Sequence, residues 1–157
     1  MIYSRIIYLL QPYANNHLKR AIKTPKVYFM DTGLAAYLTR WPTPETLANG
    51  AKAGSFFETF IVSEVIKSYL NAGMIDVPIY FYRDRDGREI DLVIETANTL
   101  YPIEIKMSAS PTLSMAKHFS ALNDIPGKLR GTGVVMCQYD RRISLADDVI
   151  SLPIEYI

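Results

Sequence analysis

Asp91, Glu104 and Lys106 are the residues of this 157-residue chain whose types and spacing best suit chemistry. Each acid sits in an apolar run rich in β-formers, Glu89-Ile90-Asp91-Leu92-Val93-Ile94 and Pro102-Ile103-Glu104-Ile105-Lys106. Side chains alternate between the two faces of a strand, so Ile90, Leu92 and Ile94 take one face and Glu89, Asp91, Val93 and Glu95 the other. By the same parity Pro102, Glu104 and Lys106 oppose Ile103 and Ile105. If the register sets Asp91 opposite Glu104, two carboxylates and the carbonyl of Ile105 converge as hard oxygen ligands suited to Mg2+ or Mn2+. Carboxylates that close repel each other, and one pKa rises unless a cation lies between them. An ion there would polarise a phosphodiester and acidify a bound water, with Lys106 orienting that water or offsetting charge on the phosphorus oxygens. Glu58 joins the site if its helix packs across these strands. The plainer alternative is an antiparallel sheet with charges on its solvated face, where Glu-x-Lys is an ordinary surface pair.

The elements that must position these residues are marked in the sequence. Strands at 79–83 and 88–95 flank Asp84-Arg85-Asp86-Gly87, a turn whose glycine supplies positive φ, and a second break at 96–99 leads into a third strand at 100–106. The three are expected to form an antiparallel meander. Ahead of them, Phe57, Ile61, Val65 and Tyr69 recur at steps of four with Phe60 and Ile66 beside them, predicting a helix from Gly54 to about residues 71–73. Behind them, a helix is expected from Ser110-Pro111 to about Leu122, then a buried strand at 133–138. A short strand at 27–30 and a helix at 33–38 capped by Asp31 precede all of these. This order of helix, three strands, helix and strand predicts an α/β domain with a mixed central sheet flanked by helices.

Composition narrows the function. Lys and Arg number 17 against 16 Asp and Glu, a net charge of +1, so any nucleic-acid or membrane partner must be held by a local patch. Lys19, Arg20, Lys23 and Lys26 are the candidate phosphate-contacting stripe, a solvated hinge being the alternative. The single cysteine, Cys137, lies in an apolar run; it excludes an internal disulfide and suits core packing in a reducing cytoplasm. No run approaches the ~18 apolar residues of a membrane span and no signal-peptide layout is present, so a soluble cytoplasmic protein is expected. There is no GxxxxGK[ST] motif, hence no ATP hydrolysis by that route. Asp31-Thr32-Gly33 matches the aspartic-protease tripeptide, but that chemistry needs two facing copies. His17 and His118 lack a partner motif. Tyr80 and Tyr82 give one phenolic strand face, for stacking on a single-stranded nucleic acid or for packing at a sheet edge.

Asp91 followed by Glu104-Ile105-Lys106 resembles the D…(D/E)-x-K signature of the PD-(D/E)XK nuclease superfamily, although Ile90 stands where the motif has proline. A closer likeness runs through Leu18-Lys19-Arg20, Pro25-Lys26-Val27-Tyr28-Phe29-Met30-Asp31-Thr32-Gly33-Leu34, Gly54-Ser55-Phe56-Phe57-Glu58, Arg88-Glu89-Ile90-Asp91 and Ile103-Glu104-Ile105-Lys106. These resemble the C-terminal DUF4143 domain of prokaryotic AAA-type ATPases, in which a P-loop module and a winged helix precede this region. The resemblance implies residues 1–26 as an approach segment from a missing ATPase and winged helix, and 27–157 as a domain with a restriction-endonuclease-like αβββαβ core. It implies a Mg2+- or Mn2+-dependent nuclease in which Asp91, Glu104 and the Ile105 carbonyl hold the ion, Lys106 assists the nucleophile and Glu58 supports the site. The implied partners are DNA or RNA and the upstream ATPase. The alternative is a non-catalytic module that docks nucleic acid or a partner for that ATPase.

Overall fold

A computed structural model of the chain describes residues 6–13 and 24–157. They divide into two compact units, one of residues 6–9, Val27–Val77 and Ile157, the other of residues 10–13, 24–26 and Pro78–Tyr156. Lys19, Arg20, Lys23 and His17 lie outside the described residues.

The first unit takes most of β1 (Ile7–Leu10) and β2 (Lys26–Phe29), which pair, and three helices, α1 (Thr32–Leu38), α2 (Pro44–Ala48) and α3 (Ala53–Asn71). Asp31 caps α1 as expected, its Oδ1 accepting the Leu34 amide hydrogen at 2.9 Å, so this carboxylate has a structural task. The long helix buries Ile61, Val62, Val65 and Ile66. It ends at Asn71, where Gly73 takes φ +82°, a left-handed conformation that glycine adopts without a Cβ penalty.

The second unit is a seven-stranded mixed sheet of β3 (Ile79–Arg83), β4 (Glu89–Thr96), β5 (Thr99–Lys106), β6 (Leu129–Arg130), β7 (Gly133–Cys137), β8 (Ile143–Ala146) and β9 (Val149–Pro153), six of them in the order β3-β4-β5-β7-β9-β8. β3, β4 and β5 form the expected antiparallel meander, while β5, β7 and β9 run parallel and β8 returns antiparallel at the far edge. The edge of β3 is covered by residues 11–13, with the Phe81 amide donating to the Gln11 carbonyl and the Tyr13 amide to the Phe81 carbonyl. The β3–β4 turn is built on Asp84, which is buried and accepts from the amides of Asp86 and Arg88, from Arg88 Nε at 2.7 Å and from Tyr82 Oη. Gly87 supplies φ +80°.

The segment after β5 is not the expected α-helix. It forms two 3-10 turns, Leu113–Ala116 and Phe119–Leu122. Ala116, Phe119, Ala121, Leu122 and, beyond the turns, Ile125 are buried, and the recurring step of three among them suits the 3.0 residues per turn of a 3-10 helix. These side chains close over Val93, Leu100, Val135 and Val149 from the sheet; Phe119, Leu122 and Ile125 each contribute roughly 1.5–3 kcal/mol when taken from water.

Candidate metal centre

β4 changes its pairing on both edges at Asp91. Towards β3, the register moves from Tyr80 opposite Val93 to Tyr82 opposite Ile90, so Phe81 alone faces both Asp91 and Leu92. This is a β-bulge, which bends and re-aims a strand. It also breaks the alternation read from the sequence, for Ile90 shares a core cluster with Val93. Towards β5, the paired residues run from Thr96 and Thr99 to Leu92 and Ile103 and stop there. The same register carried one step further sets Asp91 opposite Glu104. At that step the side chain replaces the backbone, with the Ile105 amide donating to Asp91 Oδ2 at 2.9 Å. A strand residue directs its N–H and its C=O to the same edge, so the Ile105 carbonyl is aimed to the side where Asp91 lies.

Neither acid lies on a solvated face. Asp91 is 8 % exposed and Glu104 7 %, which removes the surface-pair reading. Lys106 Nζ sits 2.6 Å from Glu104 Oε1 and 3.7 Å from Asp91 Oδ2, bringing the three expected residues together. Burial first, and the charge of Asp91 second, push the Glu104 carboxyl up to about 7, against the downward pull of Lys106. Lys26, read as part of a phosphate stripe, stands among the acids with its Nζ 2.6 Å from Glu89 Oε1 and 4.0 Å from Asp91 Oδ1, over the Phe81 ring. Arg83 grips Glu89 by two hydrogen bonds of 2.8 Å. Although burial raises the Glu89 pKa, these hydrogen bonds to Arg83 and Lys26 bring it below the ordinary range.

Glu58 lies in the first unit, where Tyr28 Oη donates to its Oε1 at 2.5 Å. Tyr82 is buried and bonded to Asp84, and Tyr80 packs edge-on to Tyr13 at 5.4 Å, so the phenolic face is engaged in packing. Cys137 is buried with its Sγ 3.2 Å from Ser151 Oγ.

A cavity of about 530 Å³ opens over the acids. It is lined by Glu89, Asp91, Glu104 and Lys106 from the sheet, and by Thr112, Ser114, Met115, Lys117 and His118. The latter residues lie on or beside the 3-10 turns. The sequence offers His118 no partner motif and gives no role to Thr112, Ser114, Met115 or Lys117; their signal was only their closeness along the chain to Lys106.

The donor set fits a small hard cation. Among the described residues no three His, Cys, Asp or Glu side chains gather into a cage, which is unlike a structural Zn2+ or an all-protein Ca2+ site. Two carboxylates and a carbonyl, with coordination completed by water or substrate oxygens, suit Mg2+ or Mn2+. Burial is the largest cause of the rise in the Glu104 pKa, and the part due to Asp91 is the electrostatic conflict that such a cation relieves.

Residues 53–157, which carry both acids, Lys106 and the whole cavity, match the profile of a domain of unknown function, DUF4143. The chain belongs to the DUF4143 family. Residues 2–45 match a second profile, also a domain of unknown function, DUF8612; Lys26 falls within it. Two uncharacterised proteins, one of Mycobacterium tuberculosis and one of Mycobacterium bovis, are each 30% identical to this DUF4143 chain over 152 residues, covering 97% of it and 32% of their own length. The chain thus spans about a third of the length of the curated relatives it matches. Among the described residues no helix is long and apolar enough to cross a membrane.

Proposed function

We propose that this DUF4143 chain is a divalent-metal-dependent nuclease that hydrolyses phosphodiesters of DNA or RNA. The observation that carries this reading is the bond from the Ile105 amide to Asp91 at the point where β4 and β5 stop pairing. It fixes one buried carboxylate at a strand break beside a second, with a lysine between them. That arrangement supports a PD-(D/E)XK, restriction-endonuclease-like assignment for the mixed sheet and its meander.

Bound Mg2+ or Mn2+ would supply Lewis-acid polarisation of the phosphoryl oxygens and a more acidic water. Asp91, Glu104 and the Ile105 carbonyl hold the ion in this proposal. Asp91 stays oriented by the Ile105 amide, so its position costs no reorganisation when substrate arrives. Glu104 must be ionised to bind, and the cation makes that ionisation favourable. Lys106 then exchanges its contact with Glu104 for the attacking water or a non-bridging phosphoryl oxygen, where its ammonium offsets developing charge. The supporting role that the resemblance gives Glu58 is part of the proposal, as is the phosphate stripe of Lys19, Arg20, Lys23 and Lys26. The longer protein is proposed to be an AAA-type ATPase with this module at its C-terminus, working in the reducing cytoplasm that suits a buried free thiol.

The test combines calorimetric titration of Mg2+ and Mn2+ with cleavage of plasmid and single-stranded substrates. Metal binding that is lost in Asp91→Ala, and cleavage lost in Lys106→Ala, are expected. If neither ion binds and Asp91→Ala leaves hydrolysis unchanged, the nuclease reading fails. A second reading has its own observation in its favour: Lys106 and Lys26 already partner the acids. A docking module without chemistry would then bind nucleic acid or a partner protein and cleave nothing.

A further inference from the structure

Glu89, Asp91, Glu104 and Lys106 make up part of the cavity lining; Thr112, Ser114, Met115, Lys117 and His118 complete it, and four of these five carry side-chain hydrogen-bond donors. Thr112 and Ser114 contribute two hydroxyls, bonded to each other at 2.9 Å, and Lys117 and His118 contribute an ammonium and an imidazole. Hydroxyl, ammonium and imidazole N–H are all donors; the bond between Thr112 and Ser114 uses one of the two hydroxyl hydrogens and leaves the other, and the ammonium carries three. Acids around Lys106 and a separate run of donors after β5, lining one cavity, select an occupant that is cationic where it meets the acids and anionic where it meets the donors. A phosphate carrying a divalent ion has that polarity. At about 530 Å³ the cavity also exceeds what a lone hydrated ion needs and falls in the usual size range for organic ligands.

We propose that Thr112, Ser114, Lys117 and His118 form a phosphate-recognition subsite that takes a backbone phosphodiester of a nucleic-acid strand beside the acid pair. The proposal rests on the nuclease reading for the class of its ligand, but its geometry stands on the cavity alone. Lys117 supplies the charge and the hydroxyls the direction, while His118, less exposed than Lys117, adds an imidazole N–H to the same lining. The positions follow from the 3-10 turns. With Ala116 and Phe119 buried against the sheet, the two residues between them are turned to the cavity side. An α-helical segment would have distributed these four residues differently around its axis.

The subsite binds phosphate groups irrespective of base, so a labelled thymidine hexanucleotide is a sufficient probe. Its affinity for the full chain is read by fluorescence anisotropy, once without divalent ion and once with Ca2+ in place of Mg2+ to suppress turnover. The double variant Lys117→Ala/His118→Gln is expected to weaken binding by roughly tenfold or more in both arms, since charge-assisted contacts to phosphate are lost. The same variant should bind Mn2+ within about twofold of wild type. A variant that binds the hexanucleotide as tightly as wild type overturns the subsite, whatever the metal does. Failure of the wild type to bind Mn2+ overturns the nuclease reading and leaves the subsite to stand or fall on the metal-free arm. Competition by inorganic phosphate at concentrations that match the hexanucleotide on a per-phosphate basis would replace a nucleic-acid ligand by a free phosphate and overturn the strand assignment. Because Lys117 is exposed, Lys117→Ala alone provides a variant whose folding is not in question.

Discussion

Asp91 Oδ2 accepts the Ile105 amide hydrogen at 2.9 Å, in the place where the next backbone rung between β4 and β5 would lie. One carboxylate therefore serves both as a cap on an interior strand and as a candidate metal ligand. Substitutions separate the two tasks. Asparagine keeps an acceptor oxygen for the amide, and alanine does not. Urea unfolding should show Asp91→Ala losing about 1–3 kcal/mol, the cost of stranding a buried donor, with Asp91→Asn within about 1 kcal/mol of wild type. Both should lose Mn2+ binding by calorimetry. Equal stability losses for the two variants would contradict the capping role.

Glu104 gives the metal-free protein a pH dependence. Its carboxyl is raised from 4.5 to about 7, so the folded chain holds a proton there that the unfolded chain releases. The stabilisation from that proton is complete below about 4.5 and is lost as the pH rises through about 7. Relative to Glu104→Gln, wild type is expected to lose on the order of 2 kcal/mol across this window, less than the full shift implies because the carboxyl keeps some solvent contact. Denaturant titrations of both proteins across the window check the difference. Saturating Mn2+ should abolish it.

Lys26 lies 4.0 Å from Asp91 Oδ1, close enough to oppose an incoming cation. A unit charge at that distance acts with about 1 kcal/mol in a water-like dielectric. Lys26→Met should accordingly raise Mn2+ affinity by roughly fivefold, with the gain shrinking as salt is added. Unchanged affinity at low salt would place this ammonium outside the electrostatics of the centre.

Gly133 begins β7 beneath Phe119, and a Cβ added there would run into the Phe119 ring. Gly133→Ala should displace the second 3-10 turn at a cost of about 1–3 kcal/mol. As His118 adjoins Phe119, binding of the hexanucleotide should weaken along with stability while Mn2+ binding is spared. Chemical-shift changes at His118 in the variant would register the displacement directly.

The parts of this fold that were legible in the sequence are those encoded locally. Asp31 as a cap, Gly87 as a turn residue and the four-step pattern of α3 each depend on neighbours within a few positions. Strand parity likewise put Asp91, Glu104 and Lys106 on one side. The bulge at Asp91 and Leu92 was not legible, because it is defined by which residue of β3 stands opposite. Nor was burial of the acids, which depends on the chain that covers the sheet. The three-residue period of Ala116, Phe119, Leu122 and Ile125 was present in the sequence, but it differs from a helical period by too little over so short a span. Strands β8 and β9, of four and five residues, gain their definition from pairing with each other and with β7. Lys117 and His118 needed the cavity itself to be seen.

The two family profiles do not coincide with the two compact units. The DUF4143 match starts at residue 53, inside the first unit, while the second unit draws residues 10–13 and 24–26 from the stretch matched by DUF8612. Those few residues cover the exposed edge of β3 and bring Lys26 to the acids. A gene rearrangement that moved residues 53–157 alone would deliver a sheet with one raw edge and an acid cluster short of a cation. The two sequence families are therefore expected to be inherited as one piece, with changes at Lys26 answered by changes at Glu89.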